Sequence, residues 1–513
     1  MSRLVHSILG AVFLLLPSLA SAGGTDLPDN GTEALGRGGA FVAKADNGLA
    51  LYYNIAGLAR QRGTRLTIDG NFVIHDIAFT REGSYPGNPQ EPTTPFAGQP
   101  YEQIHDSSRI FAVPYLGLST DFGWFKRWTF GFGVYGPPGV GIHNYGVGSD
   151  ASPIATVKLK NGMTAPAPSR YDISQTNLLI VLPTLAAAYS PVKYLDLGVA
   201  LQLVYANFNL TNANITNLGM KLCPGTPENP NCDAYGNLQT SGTTWGFMVS
   251  AMAHPVDWID IGVNYRPQVD VHTEGTIFPT PPPSLKTTIA PAPVNFNSSL
   301  PHLLRLGARA VSRYGDGTER ADVELDMTYE NWSNKNDRWG RSFDGYDPPQ
   351  KYRPDHIYSP DFMLGAGGEL NVDLNRGYKD TVSIRAGGAY NHRLNDTSRL
   401  IARAGVYFDS ATTAYEHTRL DFNTAAKYAV TVGGGYKIRG FTLNIAYAFV
   451  YSPSRSVTNS VNTAVDAMYG TNYGPNSPVI AVGNGLYEPS THILSVGVSM
   501  NFNEFKTPRL FRN

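Results

Sequence analysis

Leu195-Asp196-Leu197-Gly198-Val199-Ala200-Leu201-Gln202-Leu203-Val204-Tyr205 alternates between large apolar and small or polar side chains. In an extended strand successive side chains point to opposite faces. Leu195, Leu197, Val199, Leu201, Leu203 and Tyr205 therefore share one face, and Asp196, Gly198, Ala200 and Gln202 the other. Apolar outward and small or polar inward is the pattern of a transmembrane barrel strand. It recurs at 259–266, where Ile259, Ile261, Val263 and Tyr265 oppose Asp260, Gly262, Asn264 and Arg266. It recurs again at 442–451, and at 490–502, where Leu494, Val496, Val498, Met500 and Phe502 oppose Ser495, Gly497, Ser499 and Asn501.

The connections swing between short and long. Pro191-Val192-Lys193, Pro255-Val256-Asp257, Gly315-Asp316-Gly317-Thr318 and Arg439-Gly440 are tight turns, while 137–175, 212–240 and 452–489 are long, polar and rich in Pro and Gly. Bacterial outer-membrane barrels have short periplasmic turns and long extracellular loops. Strands are read at 64–79, 108–119, 127–136, 176–190, 194–211, 241–254, 258–273, 301–314, 319–332, 360–374, 380–391, 424–438, 441–451 and 490–502. The expected fold is all-β: an antiparallel transmembrane β-barrel of about fourteen strands, an even number as a single bacterial chain requires. Trp124, Trp128 and Trp258 fall beside short turns; Trp245, Trp332 and Trp339 fall at long-loop ends. None is expected mid-strand, which suits interfacial girdles.

Residues 1–22 read as a secretory signal peptide, with Arg3, an apolar stretch from Leu9 to Leu19, and Ala20-Ser21-Ala22 as the cleavage site. No later apolar run approaches the ~18 residues of a membrane helix. The expected organisation is signal peptide 1–22, an N-terminal segment 23–63, a barrel 64–502 and a periplasmic tail 503–513. Lys and Arg total 40 against 41 Asp and Glu, so nothing points to nucleic acid. There is no G-x-S-x-G, no H-E-x-x-H and no His cluster, and neither an enzyme nor a metal or other cofactor is expected. Cys223 and Cys232 are closely spaced in a Pro-rich loop of an exported chain, which favours a structural disulfide over free thiols.

The hairpin 301–332 shows how the lumen is filled. Arg305 and Arg309 share a face on one strand, and Asp322, Glu324 and Asp326 on the next. A symmetric turn puts Arg309 opposite Glu324 and Arg305 diagonal to Asp326, which predicts cross-strand ion pairs inside the barrel. Arg266 and Arg385 face inward by the same alternation. These charges have two readings, wall neutralisation or contact with a ligand carboxylate.

Residues 23–63 do not alternate. Gly36, Gly38, Gly39, Gly48 and Gly57 punctuate small and apolar residues. A plug in the lumen would hide this surface; a periplasmic extension binding another protein is the alternative. The segment resembles the N-terminal hatch of the FadL-type outer-membrane transporters of long-chain fatty acids and aromatic hydrocarbons. The resemblance rests on Leu35-Gly36-Arg37, Asp46-Asn47 and Tyr53-Asn54-Ile55-Ala56-Gly57-Leu58. It carries Gly36, Arg37, Gly39, Asn54, Ala56 and Gly57 over as hatch residues. The family proline is Ile55 here, and Ile neither locks φ nor lacks an N–H. Gly262-Val263-Asn264-Tyr265-Arg266, Arg305-Leu306-Gly307 and Asp322-Val323-Glu324 up to Trp332-Ser333 extend the similarity along the barrel. Phe502 departs from the family by being followed by Asn503 to Asn513, so the barrel-assembly machinery is expected to read an internal signal or Phe511.

The resemblance implies a monomer in outer-membrane lipid and lipopolysaccharide that takes up hydrophobic small molecules, with the hatch closing the lumen. A general diffusion porin and an outer-membrane lipid hydrolase are the competing readings. In the family a kinked third strand lets ligand leave sideways. The matching stretch is Gly136, Pro137, Pro138 and Gly139, which reads equally as an ordinary strand end.

Overall fold

The computed structural model describes residues 30–108, 110–137, 141–146, 155–215, 228–284, 288–333, 356–359, 370–373, 376–463 and 480–504. The signal peptide, residues 23–29 and the tail beyond 504 lie outside them. The wall is a closed antiparallel barrel of 14 strands. They are β1 (Arg65–Arg81), β2 (Ile110–Thr120), β3 (Trp128–Tyr135), β4 (Gln175–Val181 and Thr184–Val192), β5 (Leu195–Ile215) and β6 (Asp233–Val256). Next come β7 (Ile259–Arg266 and Val269–Thr280), β8 (Ala292–Leu300 and His302–Arg313), β9 (Glu319–Asn331) and β10 (Thr381–Arg393). The last are β11 (Ser398–Asp409), β12 (Lys427–Ile438), β13 (Phe441–Tyr451) and β14 (Gly485–Asn501). Each pairs with the next, and β14 closes on β1 from Arg65↔Asn501 to Arg81↔Gly485. Along these ladders backbone N–H and C=O groups are paired across strand boundaries, the condition for crossing hydrocarbon with strands.

Alternation along β5 is realised as read. Leu197, Val199 and Leu201 are 42%, 55% and 48% exposed, whereas Asp196, Gln202 and Val204 are buried. The exposed face of the barrel is a belt of Leu, Ile, Val, Phe and Tyr. Such a belt is costly in water and stable in hydrocarbon.

The strand reading needs four corrections. Of the segment 360–374 only Leu370–Asp373 is described, and it lies outside the wall: it pairs with His356–Ser359, which pairs with Asn295–Asn297 of β8, while β9 pairs directly with β10. The missing member is β11, reached from β10 by the turn 394–397, where the Asn395 side chain accepts from the Thr397 and Ser398 amides. The stretches 176–190 and 258–273 are each broken, at Pro183 and Pro267, and Pro301 likewise interrupts β8. A proline lacks the N–H that a ladder needs. Within 212–240 the described residues are largely strand, since β5 and β6 stay paired from Asp233↔Ile215 to Ala253↔Leu195. Trp245 therefore falls midway along β6, 63% exposed, and Trp332 is buried with its indole N–H on Glu330. Trp339 lies outside the described residues.

Candidate functional site

The N-terminal segment fills the barrel. Two single-turn helices, α1 (Thr32–Leu35) and α2 (Ala50–Tyr53), and a 3₁₀ stretch Ile55–Arg60 carry almost wholly buried residues. Gly38 and Gly39 follow α1 at φ +65° and +74°, left-handed geometry that favours glycine. They turn the chain so that Phe41 and Val42 present their amides to the wall.

The carboxylates on β9 receive it. Arg37 Nη1 donates to Asp322 at 2.9 Å and its Nη2 to Glu324 at 3.1 Å, with Arg37 Nε on the Ala40 carbonyl. Burial opposes the charge on Arg37, but Asp322 and Glu324 outweigh it and raise its pKa. Asp326 Oδ2 accepts from the Phe41 and Val42 amides at 2.7 and 2.9 Å, and Glu324 Oε1 from Ala43 and Lys44 at 2.6 and 3.1 Å. The expected cross-strand pairs are thus only partly formed. Arg309 lies opposite Glu324 in register but donates to Asp322 at 2.8 Å, and Arg305 donates to the Tyr52 carbonyl at 2.6 Å. Glu324 and Asp326 are spent on the hatch backbone, because donors fixed in a loop satisfy a buried carboxylate without ordering a second long side chain. Arg385 bonds Asp409 across the wall.

Lower down, Glu33 pairs with Arg403 at 3.1 Å and Lys44 with Asp46 at 2.7 Å. Burial raises the Glu33 pKa, but Arg403 and Lys44 more than reverse that and hold it below the usual value. Thr32 bridges the closure of the ring: its N–H donates to Asp69 of β1, and its hydroxyl meets Ser495 of β14 at 2.8 Å. Asn54 caps the turn into the 3₁₀ stretch. Its side-chain oxygen accepts from the Ala56 amide, its amide donates to the Val42 carbonyl, and Ile55 starts the 3₁₀ stretch fully buried. Ala56 also donates to Ser250 on β6.

A further set of residues went unread in the sequence. Wall glycines sit where the hatch backbone touches. A Cβ at Gly262 would lie 2.5 Å from the Val42 carbonyl, one at Gly198 2.5 Å from the Ala56 nitrogen, and one at Gly117 2.9 Å from the Gly48 carbonyl. At Gly387 and Gly405 it would overlap the Arg37 backbone. The available signal was a glycine at an inward position of strand after strand.

The lumen has two sides. On β9–β12 it is charged and clamps the hatch. On β4–β8 it is apolar: Ile180, Val204, Phe208, Leu238, Ile277, Val294 and Phe296 pack with Phe41, Leu51, Tyr52 and Tyr53 of the hatch in one cluster. This cluster reaches the end of β3 at Tyr135, whose hydroxyl donates to the Leu51 carbonyl at 2.8 Å. There the wall changes. The β3–β4 ladder runs from Trp128↔Tyr189 to Gly133↔Thr184 and then lapses. It resumes with Ile142–Asn144 against Gln175–Asn177. No ladder pair forms at Gly136 or Pro137, and the Gly136 carbonyl is held instead by the Asn30 amide of the hatch at 2.9 Å. Pro138 and Gly139 lie outside the described residues. Beneath the hatch, on the short-turn side, a cavity of about 200 Å³ is lined by charged groups including Glu33, Lys44, Arg65, Arg403, Lys437 and Glu504. Above, loops are tied by Arg81 with Glu228 and by Arg170 with Asp233. Cys232 in this layer is disulfide-bonded; Cys223 lies outside the described residues.

Residues 13–487 match the family model of the outer membrane protein transport proteins (OMPP1/FadL/TodX). The chain belongs to this family. It is an outer-membrane protein. The fold agrees with a Pseudomonas aeruginosa FadL homologue, at 15% identity and a TM-score of 0.65, covering 94% of this chain and 100% of that one. The Pseudomonas putida toluene transporter TodX matches at 16% and 0.58, covering 89% and 94%. The Ralstonia pickettii toluene transporter TbuX matches at 15% and 0.56, covering 92% and 98%. No curated protein is a significant match.

Proposed function

We propose that this FadL/TodX-family protein carries hydrophobic molecules, such as long-chain fatty acids or aromatic hydrocarbons, across the outer membrane. The long loops capture the ligand, the apolar side of the lumen accepts it, and it leaves sideways through the interruption between β3 and β4. The observation that carries this reading is the continuity of the apolar cluster with that interruption, both in contact with the hatch. The cavity beneath supports the sideways route, because its charged lining is a poor host for an apolar solute. Asn30 on the Gly136 carbonyl gives the hatch a hold on the opening, so that movement of the hatch and opening of the wall go together.

The test is uptake of labelled hexadecanoate and of toluene by cells whose own transporters are deleted and which express this chain. Wild type should restore uptake of at least one. A variant with Gly136→Val and Pro137→Thr, which extends the β3 ladder, should insert normally and lose uptake by tenfold or more. Undiminished uptake by a correctly inserted variant refutes sideways release. No uptake of either compound by wild type refutes the hydrophobic-ligand reading.

A further inference from the structure

On the short-turn side of the hatch the wall carries a row of like charges. Arg393 of β10 lies directly opposite Arg399 of β11, and Arg399 directly opposite Lys437 of β12. Arg399 and Lys437 line the charged cavity beneath the hatch, together with Arg65 and Arg403. Along the same row the next positions are hydroxyls. Lys437 is opposite Thr442 of β13, Thr442 is opposite Ser499 of β14, and Ser499 is opposite Thr67 of β1. These three residues line the cavity as well.

The acids of the cavity are already engaged. Glu33 pairs with Arg403 at 3.1 Å, Asp46 with Lys44 at 2.7 Å and Glu319 with Arg309 at 2.6 Å. Glu504 reaches Lys437 only at 3.5 Å and accepts from the Asn501 side-chain amide at 2.9 Å. Arg393 is neutralised by Asp316 and lies over the Tyr314 ring. Arg399 has neither an acid nor a hydrogen-bond acceptor among the described residues. Arg403 is 5% exposed, and its Nε is left without a partner while Nη1 donates to Asn444 at 3.0 Å. Like charges directly opposite in an antiparallel ladder destabilise it, and an unmade bond at a buried guanidinium adds to the cost. Polarity alone does not call for charge here, since hydroxyls serve on β13, β14 and β1.

We infer that this cavity is a binding site for a phosphate group, held by Arg399, Lys437 and Arg403 Nε with the Thr442 and Ser499 hydroxyls beside them. The fork of a guanidinium and the point charge of an ammonium both suit phosphate, and hydroxyls donate to its remaining oxygens. An anion set between Arg399 and Lys437 turns one repulsion into two attractions. The cavity of about 200 Å³ admits the group, and the Lys437 side chain, 29% exposed, leaves the site reachable from solvent. The phosphate is either free in solution or the head group of a phospholipid at the rim of the barrel. The site lies beneath the hatch, away from the apolar cluster, so it is separate from the uptake path and does not depend on that reading.

The test is calorimetric titration of inorganic phosphate into the purified full-length chain in a neutral detergent, at an ionic strength held constant with sodium chloride. Wild type should bind phosphate saturably, and phosphate should raise the melting temperature above its value in chloride. Arg399→Gln should weaken phosphate by about tenfold or more, the worth of a charge-assisted bond. In phosphate-free buffer the same variant should melt higher than wild type, because the repulsion is gone. Arg393→Gln, whose charge is already met by Asp316, should keep the affinity within about twofold. Heat-modifiable migration on gels shows that each variant is folded. Nanodiscs of phosphatidylcholine with and without phosphatidylglycerol separate the two sources. Equal phosphate affinity in both assigns the site to free phosphate; several-fold weaker affinity with phosphatidylglycerol assigns it to a lipid head group. If phosphate acts no differently from chloride, or if Arg399→Gln binds it as wild type does, the cavity is not a phosphate site.

Discussion

Arg37→Met removes the charge that ties the hatch to β9. Arg37 is fully buried and contacts two carboxylates, Asp322 and Glu324. Breaking a buried ion pair by deleting one partner costs about 3–5 kcal/mol, since the remaining charge is left in a poorly solvated place. Here the lower end applies. Asp322 keeps Arg309 at 2.8 Å and the Ala389 amide at 3.1 Å. Glu324 loses Arg37, its basic contact among the described residues, but keeps the Ala43 and Lys44 amides. The bonds left to Asp322 lie within the wall, so the loss falls on hatch seating rather than on barrel closure. At about 3 kcal/mol the seated state is disfavoured by roughly a hundredfold relative to wild type. Conductance in planar bilayers reads this directly: wild type stays closed to small ions, and Arg37→Met opens frequently. Heat-modifiable migration on gels checks that the barrel is intact. An intact Arg37→Met barrel with wild-type conductance would falsify the claim that charge holds the hatch.

Three further outcomes follow from the same geometry. Deleting residues 30–61 should leave a barrel with steady small-solute leakage in a liposome-swelling assay; unchanged leakage would place the segment outside the lumen. Gly405→Ala should displace Arg37 and raise leakage, whereas Gly434→Ala, where a Cβ meets neighbours only at 3.8–3.9 Å, should leave it unchanged; equal effects would argue against close hatch contact. Acid should loosen the hatch. Arg403 and Lys44 hold the Glu33 pKa below its ordinary 4.5, so this stabilisation is complete above that pH and is lost as pH falls through the depressed value. Conductance should therefore rise in the acidic range, and Glu33→Gln should flatten that dependence; an unchanged pH profile in the variant would count against the pairing.

Much of the wall was legible because lipid on one side and lumen on the other impose strict alternation, as in 195–205 and 490–502. What escaped had local causes. β11 carries Arg399 and Arg403 on its inner face and a short Asn395-Asp396-Thr397 turn before it, so it read as polar connection. The segment 360–374 took its place in the count. The breaks at Pro183 and Pro267 were passed over because the alternation on either side is good. The hatch motif pointed to Arg37, Asn54 and Gly57, but not to their partners. Glu324 and Asp326 could be placed on the lumen face by periodicity, yet which donors reach them depends on a segment nearly three hundred residues earlier in the chain. Asn264 was seen only as an inward polar residue; that its amide is unsatisfied is a property of the assembled lumen.

Thr32 touches Asp69 on one side of the ring closure and Ser495 on the other. The first and last strands of the barrel are thus stitched together from within by a segment that precedes both in the chain. A barrel closed without that segment keeps Ser495 on Asn71 across the seam, but Asp69 loses the Thr32 amide. The seam of the cylinder is therefore fully bonded only with its stopper in place.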